Sequence, residues 1–309
     1  MAFFSIIIPL YNKESFIENT IQSVLDQTFQ DFEIIVVNDG STDKSEEKLL
    51  QFKNSKIQYF SKKNEGVSAT RNYGIEKANA NFITFLDADD YWYPTFLETM
   101  FTNISKATDQ KVFSGAIEFE TSKKTIPSEY SILKTNEDFE IVDYFKASIK
   151  ETVLCTSCAV FHKSIFTEIG NFDTKIKSGE DTDLWIRIGL VYPVVFSWKL
   201  LARYVYDPKS LSKNNKWITD KMNFSKFEEA ERTNSDLKKF LDLNRFSLAV
   251  KSKLANEKTL FHAYYKAIDL KTLSWKKRFL LQLPTFILRF LISFKTFLAN
   301  IGISSSVFK

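Results

Sequence analysis

The sequence of 309 residues predicts an α/β fold with a mostly parallel sheet and a helical C-terminal extension. Two observations predict this fold. Within the first 90 residues, short apolar runs alternate with segments whose apolar residues recur at helical spacing. Strands that alternate with helices form a parallel sheet that is covered on both faces. From Ile218 onward the pattern is helical and lacks strand signals.

The N-terminal part alternates regularly between strands and helices. Each strand is a short run rich in Ile, Val and Phe that ends at polar or turn-forming residues. The predicted strands are Phe4–Ile8, Phe32–Val37, Lys56–Phe60 and Phe82–Leu86. Apolar side chains at helical spacing predict helices between them. These helices are Glu14–Gln27, Thr42–Phe52 and Glu65–Ala80.

The pattern is mixed between about residues 110 and 210. Val112–Phe119 and Val153–Phe161 are typical of strands, and the polar segment Thr121–Lys150 indicates a loop with a helix. Lys163–Ile169 predicts a short helix, and a longer helix is expected to follow Gly179. We place a domain boundary near residue 212, so the predicted domains are residues 1–212 and residues 213–309.

Polar, turn-rich clusters follow three of the predicted strands. They begin at Pro9, at Asn38 and at Asp87. Because open α/β sheets bind ligands beyond the carboxyl ends of their strands, we expect the clusters to meet at one edge. The last cluster contains three close carboxylates, which repel each other unless a cation lies among them. Since Mg²⁺ binds one or two carboxylates together with substrate phosphates, a metal–phosphate site is predicted there.

Composition and motifs exclude several functional classes. The net charge of +4 does not indicate a nucleic-acid-binding protein. The chain lacks the glycine-rich motifs of dinucleotide-binding dehydrogenases and of P-loop proteins. Cys155 and Cys158 are the only cysteines, and packing explains them better than a redox or zinc role. We interpret the apolar N-terminus as a strand and not as a signal peptide, because it lacks a basic leading segment.

An ordered set of motifs resembles the inverting glycosyltransferases of family 2, which have a GT-A fold. The matching segments are Ile6–Asn12, Ser23–Gln27, Phe32–Asp43, Asn64–Asn72, Phe85–Asp90 and Gly179–Trp185. Their order and spacing agree with the family across residues 3 to 212. The resemblance implies a Rossmann-like catalytic domain and gives no information on residues 220–309.

The resemblance also implies roles for single residues. Asp89 would bind a divalent metal, Mg²⁺ or Mn²⁺. Asp181 would be the catalytic base, and Glu180 beside it would help to place the acceptor or donor. Asp87 would hold the ribose or the donor sugar, and Asp39 would accept a hydrogen bond from uracil. The full set of implied donor contacts is Pro9, Tyr11, Glu14, Asp39, Asn64, Arg71, Asp87 and Ala88.

The other members of these motifs carry weaker implications. The role of Asp90 stays open. For Trp185, one helical turn after Asp181, a place in the core is favoured over a sugar contact.

The chain departs from the family pattern near residue 207. Many family members carry Tyr-Arg-x-His before Ser-x-Ser, whereas this chain has Val205 and Asp207 at the Arg and His places. Because a late His binds the metal in some relatives, Asp207 is one candidate oxygen ligand. The alternative is a metal held by Asp89, diphosphate and water. Lys209 or Lys213 is the candidate phosphate contact in this loop.

The end of the chain predicts a basic, aromatic-rich helix. No acidic residue follows Asp269, and Arg278–Asn300 carries a narrow polar stripe on a surface of mainly Phe, Leu and Ile. Pro284 is expected to start or kink this helix. The basic amphipathic segment 271–303 is predicted to lie on an anionic membrane surface. The alternative is packing against the catalytic domain or a dimer partner.

These features predict a metal-dependent inverting glycosyltransferase at the cytoplasmic face of the cell membrane. Its expected donor is a nucleotide sugar, with a UDP-linked sugar favoured. Its expected acceptor is a cell-surface polysaccharide or a lipid-linked glycan. One alternative is a non-catalytic glycan-binding or scaffold subunit of the same fold. The other is a nucleotidyltransferase, which usually needs an early basic, glycine-rich loop that this chain lacks. The sugar, the linkage and the oligomeric state stay open.

Overall fold

The computed structural model describes residues 2–121, 124–205, 207, 222 and 224–300, of which residues 295–300 are described as helix backbone. Strands β1 to β10 are, in chain order, Phe4–Leu10, Phe32–Asn38, Ile57–Ser61, Phe82–Phe85, Tyr91–Trp92, Val112–Glu120, Thr125–Pro127, Glu140–Val142, Ala159–His162 and Val194–Tyr204. Helices α1 to α12 are Ile17–Leu25, Ser45–Leu49, Val67–Lys77, Phe96–Lys106, Tyr144–Ala147, Ser164–Glu168, Glu180–Gly189, Glu228–Thr233, Ser235–Leu254, Lys258–Ala267, Trp275–Gln282 and Thr285–Asn300.

The described strands form one ten-stranded sheet. Its central order is β3-β2-β1-β4-β9-β6-β10-β5, with β7 paired to β6 and β8 paired to β10. β1 runs parallel to β2 and β4, and β10 runs parallel to β6. β9 lies antiparallel between β4 and β6 and joins the two parallel halves. Six of the ten described strands, β1, β2, β3, β4, β6 and β10, run in the same direction, so the sheet is mostly parallel, as predicted.

Apolar residues on both faces of the central strands explain the three-layer packing. Neighbouring side chains of a strand point to opposite faces, so Ile6 and Ile8 enter one core cluster and Ile7 enters the other. α1 covers the first face, and α3 and α7 cover the second. α3 packs closely against β1 because residue 74 is Gly. A Cβ atom at this position would come within 2.3 Å of Ile7 Cγ2. This packing fixes α3 and α7 beside the strand ends.

Several elements differ from the prediction. α4, β5 and β10 had no predicted counterpart, and the polar segment Thr121–Lys150 contains β7 and β8 in addition to α5. The predicted strand Val153–Phe161 is wrong in its first half, because residues 156–158 form a 3₁₀ turn before β9. The pairing of β10 with β6 shifts register after Ser197 and after Leu200. Such bulges interrupt the two-residue alternation by which a strand is recognised in a sequence.

The C-terminal region is helical, as predicted. The long helix α9 contacts α5 of the N-terminal part as well as α8, α10, α11 and α12. α11 ends before Pro284 and α12 begins after it, which agrees with the break expected at this residue. No helix among the described residues combines the length and the apolar character that a bilayer span requires. The predicted boundary near residue 212, together with Lys209 and Lys213, lies outside the described residues.

Candidate active site

Three polar clusters meet beyond the carboxyl ends of β1, β2 and β4. The backbone N–H of Asp39 donates to Leu10 O over 2.8 Å, which joins the first two clusters. Asn12 Oδ1 accepts the backbone N–H of Thr42 at 2.8 Å in the same region. β4 pairs with β1 from Phe4 to Ile7, so Asp87 emerges at the same edge. The expected convergence at one edge of the sheet is therefore observed.

Arg71 of α3 links two carboxylates from separate motifs. Its Nη2 donates to Asp87 Oδ1 at 2.7 Å, and its Nη1 donates to Glu180 Oε1 at 2.9 Å. The Arg71 side chain is only 4% exposed. Burial disfavours its charge, but Asp87 and Glu180 outweigh burial and raise the pKa of Arg71. Burial, followed by the charge of Asp181, raises the pKa of Glu180 against the opposing effect of Arg71.

Asp181 lies in the first turn of α7. The helix begins after Gly179, whose positive φ of 87° turns the chain into it. The positive end of the helix dipole favours carboxylates at this place. Asp181 Oδ1 accepts the backbone N–H of Thr182 at 2.6 Å, which fixes the carboxylate. The side chain is half-buried and faces a cavity.

This cavity, which we name the Asp87–Asp181 cavity, has a volume of about 180 Å³. Typical pockets for drug-sized ligands measure about 300–1,000 Å³, so this one suits a single sugar ring better than a whole nucleotide. The rings of Phe119 and Tyr204 form part of its wall, with centroids 5.6 Å apart. The other lining residues are Asp90, Ile117, Ser128, Glu151, Thr152, Leu154, Cys155 and Thr156. Sequence reasoning found the two aspartates but not the aromatic wall.

The predicted metal ligand Asp89 lies in a charged cluster with Lys13. Lys13 Nζ is 2.6 Å from Asp89 Oδ2 and 2.6 Å from Asp207 Oδ2. Burial lowers the pKa of Lys13, but the two carboxylates outweigh burial and raise it. Burial raises the pKa of Asp89, and Lys13 opposes this effect while Asp87 adds to it. Sequence reasoning did not single out Lys13.

The oxygen atoms around Asp89 are of the kind that Mg²⁺ and Mn²⁺ prefer. No group of three or more His, Cys, Asp or Glu side chains within the described part of the chain is arranged to hold a metal. A metal at Asp89 therefore needs further oxygen ligands from a diphosphate and from water. Mg²⁺ is usually bound in this way, through one or two carboxylates and substrate phosphates. The carboxylates of Asp89 and Asp207 thus fit such a metal by the chemistry of their oxygen atoms.

Asp39 follows β2, and its buried side chain lies against the residues that precede α3. Its carboxylate accepts the backbone N–H groups of Glu65 and Gly66, each at 2.9 Å, and Lys62 Nζ at 2.5 Å. A carboxylate offers about four acceptor positions, so these bonds leave about one for a ligand N–H group. The geometry is compatible with the predicted uracil contact, which stays a prediction.

The remaining predicted donor contacts divide into two groups. Tyr11 and Asn64 are exposed at the sheet edge, and Pro9 is partly buried beside them. Glu14 and Ala88 also make hydrogen bonds within the protein, and their predicted donor contacts stay predictions. Glu14 Oε2 accepts the backbone N–H of Lys44 at 2.9 Å, and the buried Ala88 accepts the hydroxyl of Thr20 at 3.0 Å.

Asp90 anchors two chain segments at the site. Its buried carboxylate accepts the hydroxyl of Ser157 at 2.5 Å and the backbone N–H of Val205 at 3.1 Å. Burial raises its pKa well above the ordinary value, and the charges of Asp89 and Asp87 add to the rise. Asp90 therefore positions the chain before β9 and after β10. The sequence had left the role of this residue open.

Two predictions of core packing are supported. Trp185 is buried and stacks on Phe161 with ring centroids 5.0 Å apart, so its predicted place in the core is confirmed. Cys155 and Cys158 are both free thiols. Burial raises the pKa of Cys158 to about 12, which agrees with a packing role.

Comparison with known proteins identifies the family. A model of glycosyl transferase family 2 matches residues 5–170, which is more than half of the chain. An uncharacterized glycosyltransferase of Rickettsia typhi is 33% identical over 201 residues, which cover 64% of this chain and 62% of the relative. One from Rickettsia felis is 32% identical over 216 residues, which cover 68% of this chain and 35% of the relative. The chain therefore spans between about a third and just under two thirds of the length of these curated relatives.

Solved structures agree on the fold. Staphylococcus aureus TarS 1–349 in complex with UDP-GlcNAc superposes with a TM-score of 0.62 at 19% identity, over 97% of this chain and 80% of that one. At this identity the likeness concerns the fold alone, and it confirms the predicted GT-A-type α/β fold. The motif order, the sheet topology and the match over residues 5–170 lead to one conclusion: the chain belongs to glycosyl transferase family 2.

Proposed function

We propose that the protein is a metal-dependent, inverting glycosyltransferase that moves a hexose from a UDP-linked donor to a hydroxyl group of a cell-surface polysaccharide or lipid-linked glycan. The observation that carries the proposal is the cavity lined by both Asp87 and Asp181, with Arg71 tying their two motifs together. The solved complex of TarS with UDP-GlcNAc supports a nucleotide-sugar donor.

Different residues along the sheet edge would bind different parts of the donor. The nucleoside would lie by Tyr11 and Asp39, and the sugar would enter the Asp87–Asp181 cavity. A metal at Asp89, when bound, would neutralise the charge that develops on the departing diphosphate. Arg71 holds Asp87 and Glu180 at a fixed separation, which keeps the donor side and the acceptor side in register.

Asp181 would act as the general base. It would take the proton of the acceptor hydroxyl while that oxygen forms its bond to the anomeric carbon. The bond between the anomeric carbon and the diphosphate oxygen breaks in the same displacement, and its electron pair leaves with the diphosphate. Attack from the face opposite the leaving group inverts the anomeric centre. The first-turn position of Asp181 supports this role, because it places the carboxylate at the cavity that would receive the sugar.

We also propose peripheral contact with the inner face of the cell membrane. Trp275 and Phe286 are 71% and 73% exposed, and Phe279 and Phe290 are exposed beside them. Lysines flank these aromatic side chains, and no acidic residue follows Asp269. Aromatic side chains with neighbouring cations suit the interface of an anionic bilayer. A lipid-linked or nascent surface glycan would meet the enzyme at that place.

The experiment that tests the function has two steps. A thermal-shift panel of nucleotide sugars, each with and without Mn²⁺, identifies the donor through stabilisation of the folded chain. Transfer and donor hydrolysis are then measured for the wild type, for Asp181→Asn and for Asp109→Asn, which changes an exposed aspartate. We expect Asp181→Asn to lose about 10²–10⁴-fold in turnover while it retains UDP binding. Asp109→Asn should match the wild type.

Two results would contradict the proposal. Full turnover in Asp181→Asn would remove the assigned base. Donor binding without transfer or hydrolysis in the wild type would favour the non-catalytic glycan-binding or scaffold subunit instead.

A further inference from the structure

The Asp89 site contains a cation that belongs to the chain itself. Lys13, in the loop between β1 and α1, places its ammonium 2.6 Å from both Asp89 Oδ2 and Asp207 Oδ2. The exposed fractions of the Lys13, Asp89 and Asp207 side chains are 20%, 15% and 8%. Two carboxylates from distant parts of the chain thus converge on one positive charge. The ammonium provides the counter-charge that carboxylates this close to one another need.

The ammonium lies next to the place that a metal bound by Asp89 would take. An ion bound to Asp89 lies about 2.1 Å from a carboxylate oxygen, if it is Mg²⁺. An ammonium at 2.6 Å from the same oxygen lies within a few ångströms of that ion. Two cations at such a distance repel each other strongly in a partly buried site. The two therefore compete for the same carboxylates.

We propose that Lys13 is the resident counter-ion of the Asp89–Asp207 pair in the donor-free protein, and that a divalent cation entering at Asp89 displaces its ammonium. The inference rests on the metal site of the proposed function and adds a residue that regulates its occupancy. Because the incoming ion has to displace a tethered charge, the metal alone binds weakly. The negative charge of the diphosphate favours the exchange, so metal and nucleotide bind with positive coupling.

The loop is built so that only the side chain of Lys13 has to move. The backbone N–H of Lys13 donates to Ser45 Oγ at 2.7 Å. Its carbonyl accepts the N–H groups of Phe16 and Ile17 at 2.9 and 3.0 Å. These bonds fix the main chain at the start of α1. The long lysine side chain can leave the carboxylates by changing rotamers while the loop keeps its place.

Titration of the full-length chain with Mn²⁺, with and without UDP, tests the inference. Free Mn²⁺ is measured by electron paramagnetic resonance for the wild type, Lys13→Met, Lys13→Gln and Lys13→Arg. Lys48→Met is the matched control, because it removes a lysine from a surface ion pair with Glu18. Circular dichroism and thermal melting establish that each variant is folded.

We expect both neutral variants, Lys13→Met and Lys13→Gln, to bind Mn²⁺ alone at least about tenfold more tightly than the wild type. Lys13→Arg keeps the positive charge, so it and Lys48→Met should stay within about twofold of the wild type. UDP should increase Mn²⁺ affinity less in the neutral variants than in the wild type. A merely structural lysine would not produce this change in coupling.

Two different results would contradict the inference, and only the second would also contradict the proposed function. If the wild type binds Mn²⁺ in the presence of UDP but the folded neutral variants bind Mn²⁺ alone no more tightly than it does, Lys13 is not the counter-ion and the proposed function stands. If neither the wild type nor any variant binds Mn²⁺, even with UDP, the metal site of the proposed function is wrong and the counter-ion role falls with it.

Discussion

A buried guanidinium holds the two halves of the candidate site together. Removing a charge from water is unfavourable unless charged partners replace the water, and Arg71 has Asp87 and Glu180 as partners. Asp181 adds a further favourable charge nearby. If Arg71 is lost, carboxylates of two motifs face each other without a compensating charge. The residue therefore supports the stability of the fold as well as the geometry of the site.

We predict that Arg71→Met lowers the free energy of unfolding by about 3–5 kcal/mol, the usual effect of removing one member of a buried ion pair. Lys48→Met breaks an exposed pair and should change this free energy by about 0–1 kcal/mol. Urea unfolding followed by circular dichroism measures both values. A loss below about 1 kcal/mol in Arg71→Met would mean that solvent relieves the carboxylates in the variant.

Motif residues were predictable where their chemistry is visible in the local sequence. Asp87 stands out because it follows a recognisable strand, whereas Asp181 was singled out only through the resemblance to the family. Lys13 did not stand out, because its partners lie 76 and 194 positions away in the sequence. A lysine in a polar loop is ordinarily solvated, and only the assembled sheet edge brings the carboxylates to it. Contacts of this kind follow from the tertiary structure and not from a local pattern.

Among the elements, the first three strands of the sheet are joined through Glu33 of β2. Its carboxylate accepts the hydroxyl of Ser5 in β1 at 2.6 Å and the amide of Gln58 in β3 at 2.7 Å. It also accepts the backbone N–H of Asn79, after α3, at 2.7 Å. Burial raises the pKa of Glu33, but these hydrogen bonds outweigh burial and lower the pKa below 4.5.

This direction of shift predicts how stability depends on pH. Because the folded state binds the proton of Glu33 less tightly than the unfolded state does, the contribution is fully present above pH 4.5. It is lost as the pH falls through the lowered pKa. Glu33→Gln should therefore be less stable than the wild type near neutral pH, and the difference should shrink as the pH falls below 4.5.

Urea unfolding between about pH 3 and pH 7 measures this difference. Glu47→Gln is the control, because it changes an exposed glutamate of α2. A gap between Glu33→Gln and the wild type that stays constant over the whole range would show that Glu33 acts through packing alone.

The existence of the central elements was predictable, and their ends were less so. β1, β2 and β4 agree with the predicted strands to within two residues, because their apolar runs end at clear polar signals. α2 is shorter than the predicted Thr42–Phe52. Asp43 Oδ1 accepts the N–H of Ser45 at 3.0 Å, which keeps the chain in a turn before the helix. Such local side-chain bonds compete with the helix and shorten it.

At the scale of the whole molecule, the C-terminal helices turn their aromatic side chains outward. α11 and α12 bury Leu281 and Leu288, respectively. Two cations hold these helices to α9. Lys253 Nζ donates to Leu281 O at 2.6 Å, and Arg289 Nη2 donates to Leu254 O at 2.8 Å. Arg289 therefore stabilises the packing of α12 on α9. The proposed membrane contact relies on the exposed aromatic residues and on the lysines of the C-terminal segment.

We predict that the full-length chain cosediments with vesicles that contain anionic lipid and that raised salt weakens this binding. The double variant Phe286→Ser/Phe290→Ser removes two exposed rings of α12. Burial of one Phe side chain contributes about 1.5–3 kcal/mol, so the double variant should reduce partitioning by at least about tenfold. Leu133→Ser is the control, because it removes an exposed apolar side chain far from α12 in the sequence and should leave partitioning unchanged.

The same pair of substitutions distinguishes the membrane from a protein partner. If the exposed rings cover a second copy of the chain, the wild type sediments as a dimer without lipid and the double variant as a monomer. If they lie on a bilayer, the two proteins sediment alike in solution and differ only when vesicles are present. Equal partitioning of the double variant and the wild type would rule out the aromatic face as the membrane contact.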